Sequence, residues 1–262
     1  MELKRRWLGQ VGFTAFITSM YLLLYIPIII LVVFSFNNAS FPAPWSGFSL
    51  KWYYDLFSSS EIWHAFSNSL IVSLSATFLS LAMSVGLIYY HVMGNNLSRF
   101  LTLFYGNVII PEIVLAVGLL SLLSMFSVPL GIPTLIVAHT VLGLGYAVPI
   151  VYTRFVELDN RIVESSLDLG ATQTQTFFKI TLPLLKPALI AGGLLVFILS
   201  FDDFLLSFFC AGSEAQTLSL YIFSMIRSGV SPVVNALSTV LLALTSLLVI
   251  IFCSFNARTK IF

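Results

Sequence analysis

Six apolar stretches, each about as long as a membrane is thick, constrain this chain more than any other feature. A helix crossing a hydrocarbon core of ~30 Å needs about twenty residues, and runs of that length lie at 13–36, 65–90, 100–126, 132–152, 187–209 and 233–255. Hydrophobic residues make up 58% of the chain and charged residues 9%, which excludes an ordinary soluble domain. The pattern predicts an all-α integral membrane protein with six transmembrane helices. Lys4, Arg5 and Arg6 precede the first run as they would in a signal peptide. That run is too long for a signal core and has no small-residue cleavage site, so it is expected to remain as an anchor.

Threading six spans in turn places Lys4, Arg5, Arg6, Arg99, Arg154, Arg161, Lys179, Lys186, Arg258 and Lys260 on one side, and only Lys51 and Arg227 on the other. Basic residues gather on the cytoplasmic side of bacterial-type membrane proteins. Both termini are therefore expected in the cytoplasm and the protein in a bacterial inner membrane, multi-pass. The net charge of +1 belongs to this topology signal and gives no reason to expect a nucleic-acid partner.

The outer segment at 37–63 joins turn residues to an aromatic amphipathic piece, in which Trp52, Tyr53, Tyr54 and Trp63 suit the headgroup level of the lipid. A second short amphipathic segment ends where Pro232 opens the sixth run in a first-turn position. Cys210 and Cys253 fall at opposite membrane faces, too far apart for a disulfide. No His/Cys cluster has metal-ligand spacing, no GxxxxGK[ST] phosphate loop occurs, and no catalytic constellation stands out. The chain is expected to bind neither metal nor nucleotide. With no second domain or repeat evident, 1–262 reads as one transmembrane domain.

One polar stretch does not fit a simple bundle: ESSLDLGATQTQTFFKITLP at 164–183, on the cytoplasmic side between the fourth and fifth runs. Phe155, Ile162, Val163, Leu167 and Leu169 give a helix with one apolar stripe, continuing out of the fourth span. Gly170 stops it, Thr172 or Thr174 caps a second short helix through Lys179, and Pro183 bounds that helix. An elbow of about thirty residues, at about 154–186, is more than a connection needs and reads as a docking surface.

Glu164, Ser165, Ser166, Gly170, Ile180, Leu182 and Pro183 reproduce the spacing of the "EAA" signature: EAA, three residues, Gly, nine residues, I-x-L-P. ESS replaces EAA, keeping small side chains and adding hydroxyls. In this the chain resembles the permease subunits of ABC importers. The likeness runs over nearly the whole chain, through YLLLYIPIIILVVFSFN, GFSLKWYYDLF, PEIVLAVGLL, ILSFDDFLLSFF and IFSMIRSGVSPVVNALST, toward the second permease subunit of spermidine/putrescine importers. The resemblance implies a type I ABC-importer permease fold, with the elbow resting as a coupling helix in a cleft of an ATPase. It also implies a second homologous permease subunit, two ATP-binding subunits carrying ATP and Mg, an external or periplasmic substrate-binding protein, and no enzyme activity in this chain. Other small cationic or organic solutes are the alternative cargo.

Carboxylates in apolar spans point to function by default, because an unpaired one costs several kcal/mol in hydrocarbon. Glu112, Asp202 and Asp203 are such groups. At ~1.5 Å per residue Glu112 lies ~18 Å into the third run and Asp203 ~24 Å into the fifth, so both are expected on a substrate path. Neighbouring helical residues diverge by ~100°, so one of the two aspartates faces it better. No Lys or Arg shares their depth. Pro111 is expected to loosen the third helix, and Phe201, Phe204 and Tyr146 offer ring faces to a cation. His139, alone in the fourth run, is expected to bond a backbone group. An intramembrane hydrolase fits worse, since Asp202 and Asp203 are neighbours rather than an opposed pair. An ion-driven secondary transporter would show internal repeats.

Overall fold

The computed structural model describes residues 2–39, 44–213, 215–229 and 232–258; Lys260 lies outside the described residues, as does the side chain of Cys253. Helices follow in the order α1 Glu2–Phe34, α2 Lys51–Ser58, α3 Ser60–Val92, α4 Ser98–Ile109, α5 Glu112–Met125, α6 Ile132–Val156, α7 Asn160–Asp168, α8 Gln173–Thr176, a π-helical turn Phe177–Thr181, α9 Leu182–Asp202, α10 Leu205–Cys210, α11 Leu218–Ser228 and α12 Pro232–Arg258. An isolated bridge between Asn37 and Phe48 is the one β pairing among the described residues.

Four continuous helices are long and apolar enough to cross a membrane: Phe16–Phe34, Ser60–Val92, Ile132–Val156 and Gln173–Asp202. The run at 100–126, expected as one span, is instead two helices meeting at 116°, and counting the pair once makes five. The last run lies in α12, a helix of 27 residues from Pro232 to Arg258. The fifth run also departs from expectation, because its helix ends at Asp202 and restarts as α10.

Packing divides the chain into two compact units, one of residues 1–60 and 222–262, the other of 61–221. In the first, the loop after α1 is braced from within. Asn37, buried to 1% exposure, accepts the Ser46 N–H at 2.9 Å and receives the Trp52 indole on its carbonyl at 2.7 Å. Tyr53 meets Ser35 at 2.7 Å and stacks near Phe36. Two of the four expected headgroup-level aromatics therefore hold the loop, while Tyr54 and Trp63 stay exposed.

The second unit is built on α3, α6 and α9. Ser69, Ser73, Ser80 and Ser84 form a buried stripe along α3, small enough for backbones to approach closely. Two of their hydroxyls return to carbonyls one turn back, Ser73 to Ser69 at 2.7 Å and Ser84 to Ser80 at 2.6 Å. Ser80 crosses to the Thr140 carbonyl at 3.2 Å. Gly143 and Gly145 open α6 to its neighbours: a β-carbon at Gly143 would collide with Ser80 Oγ and stand 2.7 Å from Val196, and one at Gly145 would stand 2.7 Å from the Asn107 amide. That amide uses the space to donate to the Val141 carbonyl at 2.7 Å, fixing α4 against α6.

Gly143→Ala should therefore lower the thermal midpoint of the purified protein by the cost of overpacking, about 1–3 kcal/mol. Gly86→Ala, where a β-carbon meets nothing within 4 Å, should match or exceed wild type. Equal midpoints for the two variants would contradict this helix crossing.

Candidate functional site

The two helix breaks make the site. At the first, Ile110 and Pro111 are extended (φ −67°, ψ 128° and φ −55°, ψ 132°). Proline lacks the N–H that would continue α4, and it pushes the residue before it out of the helical region. The Pro111 carbonyl then starts α5 by accepting from Val114 and Leu115 at 2.9 and 3.2 Å. Glu112 stands in the first turn of α5, where the positive end of a helix favours a carboxylate. The bend makes the straight-helix depth of ~18 Å for Glu112 invalid.

At the second break Asp203 is extended (φ −63°, ψ 131°) with neither proline nor glycine to cause it. Its side chain supplies the reason. Oδ1 accepts the Leu206 N–H at 3.4 Å and Oδ2 the Ser207 N–H at 2.9 Å, two of the amides that open α10, as a capping carboxylate does. The Asp203 carbonyl, freed from the helix, accepts the Ser219 hydroxyl at 2.6 Å. Asp203 is thus buried, at 6% exposure, and held in place, whereas Asp202 beside it is exposed.

Both breaks open on one cavity of about 420 Å³, lined among others by Asn107, Glu112, Tyr146, Asp202, Asp203 and Phe204. Among the described residues no Lys or Arg is in its lining. Glu112, beside the first break, and Asp203, in the second, both line it, so the cavity takes carboxylates from two separate elements. Within this lining Asp203 is buried and held, while Asp202 and Glu112 are exposed. Of the three aromatic candidates, Tyr146 and Phe204 line the cavity and Phe201 packs between Phe66 and Phe197.

Asp203 also has a partner that the sequence reading missed. His139 Nε2 lies 3.6 Å from Asp203 Oδ2, and the ring contacts Ser200 and Ser207 hydroxyls at 2.8 and 3.5 Å rather than the backbone group expected for it. Asn107 was also missed, although a lone carboxamide four residues before a proline in an apolar run is a signal. Among the described residues no three His, Cys, Asp or Glu side chains are placed to hold a metal.

The elbow forms as a separate feature. The fourth span does not continue into it: α6 ends at Val156, and α7 starts afresh with Asp159 capping the Arg161 N–H at 3.0 Å. Gly170, at φ +88°, ends α7 in a left-handed turn in which Gly170 N–H bonds Leu167 O at 2.9 Å and Ala171 N–H bonds Ser166 O at 3.1 Å. Thr172, rather than Thr174, caps α8 in a reciprocal pair with Gln175. Pro183 does not bound this helix. The π-helical turn at Phe177–Thr181, where Leu182 N–H reaches back to Phe177 O, widens the helix and carries it through the proline into α9.

Within the signature, Glu164 and Pro183 are exposed and Ser166 is buried against the Thr176 hydroxyl at 3.0 Å. Ser165 bonds back to the Arg161 carbonyl at 2.7 Å, and Ile180 and Leu182 are half-buried. Leu169 stands 89% exposed at the tip.

Apolar spanning helices, an acidic cavity at two broken helices and a capped polar elbow define a membrane permease subunit. Residues 79–259 match the model of the binding-protein-dependent transport system inner membrane component, and the chain belongs to that family. It is 40% identical to the spermidine/putrescine transport system permease protein PotC of Escherichia coli, over 97% of this chain and 96% of that one. The corresponding protein of Haemophilus influenzae is 36% identical over 90% and 93%. The putrescine transport system permease protein PotI of Escherichia coli is 33% identical over 90% and 88%. A solved bacterial ABC transporter involved in the import of the acidic polysaccharide alginate shares the fold, with a TM-score of 0.73 over 99% of this chain and 98% of that one at 17% identity. The MetNI methionine ABC transporter does so at 0.60, over 76% and 98% at 19% identity. The fold is the type I ABC-importer permease fold, in a multi-pass inner-membrane protein.

Asp203→Ala should leave the Leu206 and Ser207 amides without acceptors, at about 1–3 kcal/mol for each buried donor, while Asp203→Asn keeps one acceptor. Thermal midpoints should fall in the order wild type, Asn, Ala. An alanine variant as stable as wild type would contradict the capping role.

Proposed function

We propose that this chain, as one permease domain over 1–262, carries polyamines such as spermidine and putrescine inward in an ATP-driven importer. It works with a second homologous permease, two ATP-binding subunits that hold ATP and Mg, and an external substrate-binding protein, and holds no cofactor itself. Both termini face the cytoplasm, with the elbow. The observation that carries this reading is the cavity lined by Glu112, Asp202 and Asp203 and, among the described residues, by no basic one. A relative in fold is involved in importing an acidic polysaccharide, so the fold does not choose the charge of the cargo; the side chains at the breaks do.

An ammonium group entering the cavity meets two rim acids that can follow it and one fixed acid behind them, with the Tyr146 and Phe204 rings beside them. Asp202 and the elbow are opposite ends of one helical rod, Gln173–Asp202, of 30 residues, or ~45 Å. Displacement of the elbow by an ATPase therefore reaches the cavity along a single element. Glu164 and the exposed Leu169 are the contacts offered to that partner, and Gly170 sets the angle at which they are offered.

Glu112→Gln and Asp202→Asn remove charge at exposed positions and keep size. In the reconstituted complex they should slow spermidine uptake roughly ten- to hundredfold, the equivalent of about 1–3 kcal/mol, with ATP-hydrolysing subunits still co-purifying. Wild-type uptake by both would contradict the path. A β-carbon at Gly170 meets no atom of this chain within 4 Å, and Gly170→Leu strains a left-handed residue by about 1–2 kcal/mol, so it should insert normally and lose co-purifying ATPase. Normal co-purification and uptake would contradict the docking role.

A further inference from the structure

His139 is 1% exposed, on α6, and its ring bridges the second helix break from one side to the other. Ser200, before the break, meets Nδ1 at 2.8 Å. Ser207, after it, lies 3.5 Å from Nε2, and Asp203, in the break, presents Oδ2 to the same nitrogen at 3.6 Å. A bare Nε2 lone pair facing a carboxylate would be repulsive. With the hydrogen assigned to Nε2, the ring faces Asp203 with an N–H and accepts the Ser200 hydroxyl at Nδ1. Oδ2 accepts the Ser207 amide and lies 3.6 Å from the imidazole edge, and Oδ1 is turned toward Leu206. Those contacts set the carboxylate plane, and hence which face of Asp203 opens on the cavity beside Glu112.

We propose that His139 is a positioning residue of the cation path: it orients Asp203 for the passing ammonium group without touching the substrate itself. This rests on the reading of the cavity as a cation path. A packing role would be indifferent to which ring nitrogen is preserved. A positioning role is not, because only Nε2 faces Asp203.

The test uses the assembled transporter in proteoliposomes, with spermidine uptake expressed per assembled complex. In His139→Gln the amide nitrogen stands near Nε2, and uptake should stay within about threefold of wild type. In His139→Asn it reaches only the Nδ1 position, and uptake should fall about tenfold or more. In an Asp203→Asn background the further change His139→Asn should cost less than about twofold, because coupled residues are not additive. Equal losses for Gln and Asn, or the same loss from His139→Asn in both backgrounds, would overturn the proposal. Failure of the path reading itself would show separately, as wild-type uptake by Glu112→Gln and Asp202→Asn, neither of which alters a contact of His139.

Discussion

Backbone polar groups have no water to turn to in hydrocarbon, so a helix that breaks at membrane depth must have its freed amides and carbonyls satisfied by the protein or by a cavity it encloses. This chain breaks two helices and meets that requirement twice over. At Ile110–Pro111 the proline removes one donor, and its carbonyl starts the next helix. At Asp203 a side chain caps the amides that open α10 while Ser219 takes the carbonyl. Both solutions open on one space, and the acids that make or flank them are what give it a charge. Structure and proposed selectivity are thus the same residues seen from two sides, and Asp203 in particular cannot be read as path or brace alone.

The distance between this cavity and the elbow is bridged without a joint. α8, the π-helical turn and α9 run as one rod, so Pro183, which would ordinarily stop or kink a helix, is absorbed by local widening. At the elbow end the rod is tied to α3 by Tyr89, which meets the Thr174 hydroxyl at 3.1 Å and packs on Phe177 and Phe178. At the other end it stops at the acid pair. A continuous helix with its two ends at the two proposed sites is a physical route for coupling.

Much of this was legible in residues with strong local preferences. Pro111 announced its break and Gly170 its left-handed turn, the cap was one of the two threonines expected for it, and the length of the apolar runs gave four continuous spans. Three things were not legible, the first two because a distant contact decided them. The break at Asp203 has no helix breaker; a capping carboxylate and a serine sixteen residues away hold it. His139 stands alone in its own run because its partners belong to two other helices, 61 and 68 residues on. Pro183 was read as a boundary because a π-helical turn has no sequence signature comparable to a proline's. Counting depth along 100–126 failed for the first of these reasons in reverse: the proline was noticed, but a bend of 116° cannot be sized from one residue.

The central claim is that the space between the two breaks attracts cations and conducts them. A direct measurement places a reporter at a neutral lining position, Tyr146→Cys, in a chain with Cys210→Ala and Cys253→Ser, and compares the rates at which positively and negatively charged methanethiosulfonates modify it in the assembled transporter. The expected result is faster modification by the positive reagent, with the preference reduced when Glu112→Gln and Asp202→Asn are added and with spermidine slowing the reaction during turnover. Equal rates for the two reagents, or faster modification by the negative one, would contradict the claim that these carboxylates line a cation path.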